Sequence, residues 1–457
     1  MKPLRLLAVL LIMLMPLKGR AQSLFEPESL KSSEGIAING FIRALQYITA
    51  DDQDHILFPT TISDLGLKYG VGNALTYRAY ADIRYRFGNL NGKAIREFRI
   101  PEAWVSVYSP RAALRVGQQV LKWGSAEFIN SLDVFNPRND LVRSPDIEDR
   151  NLGNLLAVID LYPSENFYIQ FAGSPVRRSS YLYTDYIEAD KGIFFTDNEP
   201  PGKSKFSYGA KFGFVGRGFE TRLYWFDGYY PMPGLSLDSL YIPASEDEEF
   251  RIQIAKTPYR RKIAGIDMEF ALNRLIIRTG LSYSSSPLSR QLNDYIPFPQ
   301  ANWFGNIEFK PGSFTIITEY SGSKVLEFTG PAAEAVLPGS GGFASLPPMT
   351  PAEMTGYAAQ LISSFNRLMN YQAEEYYHSA GALVSYTNRA MTLMPELRIL
   401  YYFTTGEVML QPVLSYNASD NIKFSFGMEY WQGEDNSIFQ LIHKGLNGIN
   451  AGLQINF

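Results

Sequence analysis

The amino-acid sequence predicts an all-β fold, a transmembrane antiparallel up-and-down β-barrel of about 16–18 strands with long extracellular loops and one loop helix. Three observations predict it: the alternation of the final strand, a high aromatic content without a membrane helix, and an export signal at the start of the chain. A barrel of this kind presents apolar residues to lipid and polar residues to its interior.

The last strand of the chain alternates between apolar and polar residues. Ile449, Leu453 and Phe457 share one face, whereas Asn450 and Gln454 share the other. This period of two indicates a strand with one dry face and one wet face. The strand ends at an aromatic residue, as the final strands of bacterial outer-membrane barrels commonly do, and the barrel assembly machinery is expected to recognise that end. The alternative is an edge strand of a soluble β-sandwich.

The composition is unusual for a water-soluble protein. Aromatic residues make up 14% of the 457 residues, with 29 Tyr and 30 Phe. After the N-terminal segment no run of about 18 apolar residues occurs, so no transmembrane helix is predicted. A chain in lipid without membrane helices must satisfy its backbone hydrogen bonds in a closed sheet. The count of 0 Cys excludes disulfides, thiolate metal sites and lipid-anchored lipoproteins.

The N-terminal segment has the three parts of a secretory signal peptide. Two basic residues precede the apolar run 6–14, and small residues follow it, so cleavage is expected before Gln22. The predicted domains are the signal peptide, 1–21, and one outer-membrane β-barrel domain, 22–457. Cleavage removes four basic residues and no acidic one, which changes the formal net charge from -4 to about -8. This mildly acidic balance argues against nucleic acid as a partner.

Strands are predicted where apolar and polar residues alternate between turn residues. The clearest case is 76–87, in which four charged side chains share one face. Four charges cannot lie against a packed core without a large desolvation cost, so this face requires water. The predicted strands are 35–49, 63–70, 76–87, 95–108, 112–123, 155–162, 166–172, 206–215, 219–227, 262–272, 275–284, 303–310, 314–320, 377–388, 391–403, 407–416, 422–431 and the final strand.

The number and spacing of these strands predict how the barrel lies in the membrane. About 18 strands are predicted, and an even number places both chain ends in the periplasm. Short turns such as 109–111 and 311–312 alternate with longer connections, as expected for periplasmic turns and extracellular loops. The weakest strand is 63–70, and its removal with one other doubtful strand leaves 16.

The longest interruption, 321–375, contains the one predicted loop helix. Thr350-Pro351-Ala352-Glu353 is a capping box with Pro at the first helical position, which predicts a helix over 350–370. Met354, Tyr357, Leu361, Phe365 and Leu368 form an apolar stripe at helical spacing. The helix is expected to pack on the barrel rim or to fill part of the mouth; a ligand gate is the alternative.

Alternation along the strands assigns charged and polar side chains to the inner face. A barrel of this size is wide enough for an aqueous passage. Positive and negative charges are nearly equal in number, so no ion selectivity is predicted, and a solvated, mutually paired lining without a substrate track is equally consistent with the pattern. The predicted pore-lining residues are Arg78, Asp82, Arg84, Glu102, Arg115, Gln119, Glu220, Arg222, Asp267, Glu269, Arg278, Glu308, Glu319, Glu396 and Arg398.

One stretch resembles a known family. Gly117-Gln118-Gln119 lies on a predicted strand, Trp123-Gly124 ends it, and Asn136-Pro137 lies on the following loop. The pattern resembles a largely uncharacterised family of bacterial outer-membrane, porin-like barrels, although Gln118 stands where Arg is expected; alginate-export porins are similar at a greater distance. The resemblance covers 114–153 and implies a barrel and solute passage, with no catalytic residue.

The loop 124–152 is predicted to narrow the lumen. Trp123 is expected at the outer rim, where an aromatic side chain suits the membrane interface. A polar loop that folds back into a wide barrel narrows it, and opposed charges on the loop order water and sort solutes. The alternative is that the loop caps the rim through Asn and Asp turn hydrogen bonds. The predicted constriction residues are Asp133, Asn136, Arg138, Asp140 and Arg143.

These patterns predict an outer-membrane porin that passes small hydrophilic solutes by diffusion through a charged lumen narrowed by the 124–152 loop. One alternative is a transporter of fatty acids or hydrocarbons, in which the helix stripe, Phe343 and Leu346 gather the ligand. Another is a surface adhesin.

No catalytic, metal or cofactor site is predicted, since the three His residues show neither metal-pair spacing nor a nucleophile partner, so the protein is not expected to be an enzyme. The expected location is the outer membrane of a Gram-negative bacterium. The expected partners are outer-membrane lipid and lipopolysaccharide, the barrel assembly machinery and small solutes, without nucleic acid, and a homo-oligomer is left open.

Overall fold

The alternating strands of the sequence form a sheet that closes on itself. The computed structural model describes residues 35–50, 56–73, 76–90, 93–140, 142–182, 193–198, 205–241, 251–287, 294–331, 350–435 and 437–457. In these residues, 18 strands form one sheet in which the first and last strands also pair, so the sheet is a closed antiparallel barrel as predicted. The predicted signal peptide, His55, Phe343 and Leu346 lie outside the described residues.

The strands follow one another around the barrel in chain order, apart from three that form a separate sheet. In chain order they are β1 (Gly35–Ala50), β2 (Ile56–Asn73), β3 (Tyr77–Leu90), β4 (Lys93–Ser109), β5 (Ala112–Gln119), β6 (Asn154–Leu161), β7 (Phe167–Ser174), β8 (Ile193–Asp197), β9 (Ser207–Gly216), β10 (Phe219–Tyr229), β11 (Gly234–Tyr241), β12 (Arg251–Thr257), β13 (Arg260–Leu272), β14 (Leu275–Ser285), β15 (Gln300–Phe309), β16 (Phe314–Val325), β17 (Tyr376–Tyr386), β18 (Leu393–Tyr402), β19 (Glu407–Asn417), β20 (Ile422–Gln432) and β21 (Gly448–Asn456). All but β8, β11 and β12 belong to the barrel.

The seam between β1 and β21 closes the barrel. Ile42 lies opposite Ile455 in antiparallel register. Gly40 and Phe457 exchange two backbone hydrogen bonds, of 2.8 and 2.9 Å. Because side chains alternate between the two faces of a strand, this register keeps the apolar residues of both strands on the outer face.

The two ends of the barrel differ in the length of their connections. Short turns join β2 to β3, β4 to β5 and six further pairs at the end where β1 begins and β21 stops. The opposite end has the long connections 120–153, 175–206, 230–259, 326–375 and 433–447. We call these the turn end and the loop end. The connections 51–55, 91–92 and 403–406 at the loop end are short, so the prediction that connections at this end are mostly long holds with these three exceptions.

The helices lie in the long connections. Helix α1 (Pro351–Met369) begins at the predicted capping box, in which the Thr350 hydroxyl accepts from the Glu353 backbone at 3.3 Å and the Glu353 carboxylate accepts from the Thr350 backbone at 2.8 Å. Helix α2 (Ile438–Leu446) and a 3₁₀ turn (Ile147–Arg150) were not predicted.

A small second sheet also lies in the loops. β11 pairs antiparallel with β12, which pairs parallel with β8. Asn366 of α1 joins this sheet, because its side-chain amide donates to the Leu235 carbonyl and accepts from the Leu235 N–H, both at 2.7 Å. The sequence did not predict this sheet, since its strands are short and lie inside polar loops.

Two sequence-based predictions need correction or completion. The predicted strand 112–123 ends at Gln119, because Glu102 accepts a hydrogen bond from the Val120 N–H at 3.0 Å and the chain then turns inward. Trp123 therefore lies inside the barrel, 1% exposed, and its predicted place at the outer rim is wrong. The doubtful strand 63–70 is part of β2, so the barrel has 18 strands.

Candidate channel lumen and constriction

Charged side chains face the interior of the barrel and apolar side chains face outward. On β3, Arg78 and Asp82 are buried, whereas Tyr77 and Phe87 are 51% and 43% exposed. A water-soluble domain buries its large apolar residues and exposes its charges. The reversed arrangement, repeated on most barrel strands, is the one expected for a sheet whose outer face contacts lipid.

The predicted pore-lining residues all lie on the enclosed side of the barrel wall, and none of them is exposed. Their role as a pore lining stays a prediction. The buried members are Arg78, Asp82, Gln119, Asp267, Glu308, Glu319 and Arg398, and the half-buried ones are Arg84, Glu102, Arg115, Glu220, Arg222, Glu269, Arg278 and Glu396. Gln119 is fully covered and donates to the Leu156 carbonyl at 3.2 Å.

On the inner face of the wall, side chains of opposite charge on neighbouring strands form ion pairs. On β10 and β13, Arg222 contacts Asp267 at 2.6 Å. On β13 to β15, Arg278 contacts Glu269 at 2.8 Å and Glu308 at 2.7 Å. Pairing offsets part of the desolvation that each charge undergoes inside the barrel. The inner wall therefore carries many charged side chains, but its positive and negative charges nearly cancel.

A second charge cluster lies on β1 to β3. Asp64 contacts Arg43 at 2.8 Å and Arg86 at 2.6 Å. Arg43 and Asp64 were absent from the predicted pore residues. A signal was available, because Arg43 stands between Ile42 and Ala44 in an alternating strand.

The loop 120–153, which we call the inserted loop, packs against the inside of the wall. Trp123 and Phe135 meet edge to face with ring centroids 5.0 Å apart, and the Trp123 indole N–H donates to Gln170 on β7 at 2.7 Å. Inward-facing Leu156 and Phe226 complete this apolar cluster. The first part of the loop is thus held on the β6 to β13 side of the lumen by burial of apolar surface.

The inserted loop also reaches the opposite wall. The Glu319 carboxylate on β16 accepts hydrogen bonds from three successive loop N–H groups, 127–129, at 2.6, 3.2 and 3.2 Å. Arg398 on β18 contacts Glu127 at 3.0 Å, and Arg143 contacts Glu429 on β20 at 2.6 Å. Charge-assisted hydrogen bonds of this kind are stronger than neutral ones. Both sides of the barrel therefore hold the loop.

Asp149 completes the crossing at the first strands. Its carboxylate contacts Arg43 at 2.6 Å, contacts Arg84, and accepts from the Ser144 hydroxyl at 2.5 Å. Burial alone raises the pKa of Asp149, but the charges of Arg43 and Arg84 and the hydrogen bonds outweigh burial and hold its pKa well below the usual range. Asp149 is thus ionised at neutral pH.

The predicted constriction residues lie on the inserted loop and brace it. Asn136 both accepts from and donates to the Leu121 backbone at 2.8 Å, and it donates to Asp133 at 2.6 Å. Arg138 and Asp140 pair at 2.9 Å, and both side chains are more than a third exposed. Burial raises the pKa of Asp133 to about 6, although Arg138 and Asn136 partly offset that effect.

Cavities flank the inserted loop on its two sides. A cavity of about 350 Å³ lies at the loop end beside Arg86 and Arg143. Another, of about 390 Å³, lies at the turn end and is lined by Arg43, Lys68 and Asp149. Segment 139–149 of the loop borders both, and so it separates space at one end of the lumen from space at the other.

An apolar cluster fills part of the loop end. Phe365 of α1, Phe439 of α2 and Leu235 of β11 pack with inward-facing wall residues such as Tyr402 and Trp431. Helix α1 therefore fills part of the mouth, which was one of the two predicted positions. Phe365 and Leu368 of its stripe are buried in this cluster and Leu361 is buried beside it, whereas Met354 and Tyr357 are half-buried.

The described part of the chain contains no group of three or more His, Asp or Glu residues that could hold a metal ion. No helix among the described residues is long and apolar enough to span a membrane.

Solved structures with the same architecture resemble this chain at very low sequence identity. OccAB1 of Acinetobacter baumannii has a TM-score of 0.51 and 9% identity, covering 94% of this chain and 99% of that one. OpdK of Pseudomonas aeruginosa, solved with vanillate, has a TM-score of 0.51 and 10% identity over 92% and 98%. A BenF-like porin from Pseudomonas fluorescens has a TM-score of 0.50 and 9% identity over 92% and 98%.

No family model matches the chain, and no curated protein matches it in sequence. The similarity to the solved structures extends over nearly the whole length of both chains. The protein therefore has the closed β-barrel fold of outer-membrane porins.

Proposed function

We propose that the protein is an outer-membrane channel for small hydrophilic solutes, with a lumen narrowed by the inserted loop. The turn end faces the periplasm and the loop end faces the exterior, as in single-chain barrels with short periplasmic turns. The apolar outer surface suits lipid, and the charged inner wall requires water. Passage is by diffusion, and no step of it needs catalysis.

One observation carries this proposal: the inserted loop is tied to the wall on both sides of the barrel. Trp123 anchors it at β7, Glu319 at β16 and Arg43 at β1. A loop that only caps the rim needs no partners around the circumference of the lumen. A polar loop held across an aqueous passage narrows it and exposes solutes to both signs of charge.

The resemblance of 114–153 to the motif-bearing porin-like family is supported by what the motif residues do. Gly124 has φ 81°, and a Cβ there would lie 2.2 Å from the Asn130 side-chain oxygen. Asn130 in turn donates to the Trp123 carbonyl at 2.7 Å, and Asn136 brackets the Leu121 backbone. These residues start the inward turn of the loop, so a protein that shares them is expected to share the insertion.

The partners follow from the proposed location. The outer face contacts lipid and, at the loop end, lipopolysaccharide, and the barrel assembly machinery inserts the chain. Solutes cross the lumen; the OpdK structure, which contains vanillate, shows that a barrel of this fold can hold a small organic molecule.

Single-channel conductance in planar bilayers tests the proposal. We expect the purified protein to form ion-conducting pores, and a variant lacking 125–144 to conduct more current per pore. Glu148→Gln is the matched control, since it alters a charge on the same loop in an exposed pair with Lys122 and leaves the ties to the wall intact. An unchanged current per pore in the deletion variant would exclude the constriction role, and a protein without conductance would exclude the channel.

A further inference from the structure

A third cavity, of about 240 Å³, lies inside the barrel and differs from the other two. We call it the tyrosine cavity. It is bordered by loop residues 129–131, by Tyr230 and Met232 after β10, by residues of β13 to β18, and by the chain that follows α1. Drug-sized ligands occupy sites of about 300–1,000 Å³, so this space takes a smaller solute.

The lining of the tyrosine cavity is almost neutral. Most of its polar side chains are hydroxyls and amides, among them Asn130, Ser284 and Asn302. Among the residues that line it, Arg261 is the single Lys, Arg, His, Asp or Glu. By contrast, the cavity at the turn end is bordered by several charges of both signs. A solute in the tyrosine cavity therefore meets many hydrogen-bonding groups and little net charge.

Arg261 contacts uncharged groups in the cavity wall. Its guanidinium donates to the Ser284 hydroxyl at 2.7 Å and lies 5.1 Å from the centre of the Tyr230 ring. The planar guanidinium therefore presents several N–H donors to the cavity, beside a hydroxyl and an aromatic ring.

Aromatic rings form another part of the wall. Tyr371 and Tyr402 stack in parallel, with centroids 4.8 Å apart and planes at 7°, and Tyr377 meets Tyr371 edge to face at 5.6 Å. Tyrosine offers a flat apolar face together with a polar edge. Such faces pack against the C–H groups of a ring while nearby polar side chains bind its hydroxyls.

The backbone holds Tyr371 in this position at a conformational cost. Tyr371 follows the C-cap of α1 and has φ 51°, a left-handed conformation that favours Gly at the end of a helix. Its N–H donates to the Leu368 carbonyl at 3.0 Å, and the Gln372 N–H donates to the Arg367 carbonyl at 2.8 Å. The stacking of the Tyr371 ring with Tyr402 and Tyr377 and its packing against the apolar cluster of the loop end offset this cost and fix the ring at the cavity wall.

We propose that the tyrosine cavity binds a neutral, hydroxylated single-ring solute, a monosaccharide or a cyclic polyol, during its passage through the barrel. The proposal rests on the proposed channel function for passage, whereas binding stands on the cavity alone. The hydroxyl and amide side chains and the Arg261 guanidinium supply both hydrogen-bond donors and acceptors, which the hydroxyl groups of a polyol require. A site built to bind hydroxyls discriminates strongly against analogues that lack them.

The test measures block of the ion current by glucose, with glucuronate as an anion of similar size and cyclohexane carboxylate as an anion without hydroxyls. Tyr371→Gly removes the ring and restores the residue that the helix end favours, so this variant is expected to fold. Tyr401→Ala is the matched control, because Tyr401 is the outward-facing neighbour of Tyr402 and is 39% exposed. Calorimetric titration of the detergent-solubilised protein with glucose measures binding without conductance.

We expect glucose to bind and to reduce the current, and Tyr371→Gly to raise its dissociation constant about tenfold, while Tyr401→Ala leaves it unchanged. Block by glucuronate or cyclohexane carboxylate without block by glucose would overturn the neutral class. Conducting pores that no sugar blocks, with no heat of binding, would overturn the site and leave the channel standing. Heat of glucose binding without any conductance would uphold the site and overturn the channel.

Discussion

Asp149 is the residue through which the inserted loop meets the first strands of the barrel. Its carboxylate is nearly inaccessible and contacts the guanidinium groups of Arg43 and Arg84. Arg43 also contacts Asp64, which binds Arg86. Removing one member of a buried charge network leaves the others without their full compensation, which is more damaging than the network is stabilising. Loss of the Asp149 carboxylate is therefore expected to weaken the crossing.

The variant Asp149→Asn tests this tie. The amide has the shape of the carboxylate without its charge, so we expect the free energy of unfolding to fall by about 3 kcal/mol at pH 7. We also expect larger fluctuations of the open-channel current, because the loop loses one of its ties. Denaturant titration in lipid vesicles and bilayer recording measure the two effects.

Acid gives a second check on Asp149. Its pKa in the folded protein is lowered, so its contribution to stability is present above the unfolded-state pKa of about 3.9 and is lost as pH falls below that value. The stability difference between wild type and Asp149→Asn should therefore shrink on acidification below about pH 4. A constant difference down to pH 2 would contradict the ion-pair account.

Asp133 is expected to make the channel sensitive to pH near neutrality. Burial raises its pKa to about 6, so the lumen gains one negative charge as pH rises through that value. We expect the cation preference of the pore to rise between pH 5 and pH 7. In Asp133→Asn this step should vanish, since an amide does not titrate. Reversal potentials in a salt gradient measure the preference.

Ionisation of Asp133 should also lower the free energy of unfolding as pH rises. A raised carboxyl pKa stabilises the folded protein below the unfolded-state value of about 3.9, and this contribution is lost as pH rises through about 6. Asp133→Asn should therefore be more stable than wild type at pH 8, by on the order of 1–3 kcal/mol. Asp140→Asn on the same loop is the control, because Asp140 is more exposed and pairs with Arg138.

At the scale of elements, the inserted loop combines two kinds of anchor. Near β5 it is held by apolar packing around Trp123, and farther along it is held by carboxylates and guanidinium groups of the wall. Water does not compete for the contacts of the apolar anchor. Water in the lumen can replace the hydrogen bonds and ion pairs of each polar anchor. We therefore expect the start of the loop to be the more rigid part.

A disulfide would report where the loop lies. The chain has 0 Cys, and the hydroxyl oxygens of Ser131 on the loop and Ser282 on β14 are 2.8 Å apart. A disulfide requires Cβ atoms about 3.5–4.5 Å apart, so we expect Ser131→Cys with Ser282→Cys to cross-link when the two thiols are oxidised by diamide. Mass spectrometry detects the bond, and the conductance should be equal before and after reduction.

The control pair places one cysteine at the turn end. Ser131→Cys with Ser419→Cys should remain reduced under the same conditions, because Ser419 lies in the turn between β19 and β20. Failure of the Ser131 and Ser282 pair to cross-link, or a change in conductance on reduction, would show that the loop spends its time elsewhere.

The sequence predicted the barrel strands well and the loops poorly, for a physical reason. In a strand between lipid and water, apolar and polar residues alternate with a period of two along the whole strand. This alternation predicted all 18 barrel strands. The strands of the small sheet and α2 depend on distant contacts, such as that of Leu235 with Asn366, 131 residues away. No local pattern records such a contact.

The candidate site shows the same division. Alternation identified Asp267 and Glu319 as inward-facing, and both are buried inside the barrel. It could not show that these carboxylates bind the inserted loop, because their partners Ser125 and Glu127 lie more than 140 residues earlier in the chain. Trp123 was misplaced because an aromatic residue after a strand suits both a membrane interface and a buried anchor.

At the scale of the whole molecule, the barrel depends on closure. Each barrel strand has a neighbour on both sides, and the pairing of β1 with β21 leaves no edge in the sheet. An open edge in lipid would expose backbone groups that water cannot reach, at several kcal/mol for each group. A backbone change that breaks the pairing at the seam should therefore impair assembly of the barrel.

The variant Ala451→Pro tests the seam. Ala451 lies in the middle of β21, opposite Gln46 on β1 and Phe426 on β20, so its N–H donates to one of these neighbours. Proline removes that donor, so one hydrogen bond of the ladder is lost and a backbone carbonyl of the neighbouring strand is left without its partner. We expect this variant to migrate as an unfolded chain in unheated detergent gels, whereas wild type migrates faster as a closed barrel. Ala451→Val keeps the N–H and an outward apolar side chain, and it should migrate like wild type. Equal folding of the proline variant would mean that the barrel does not need this seam.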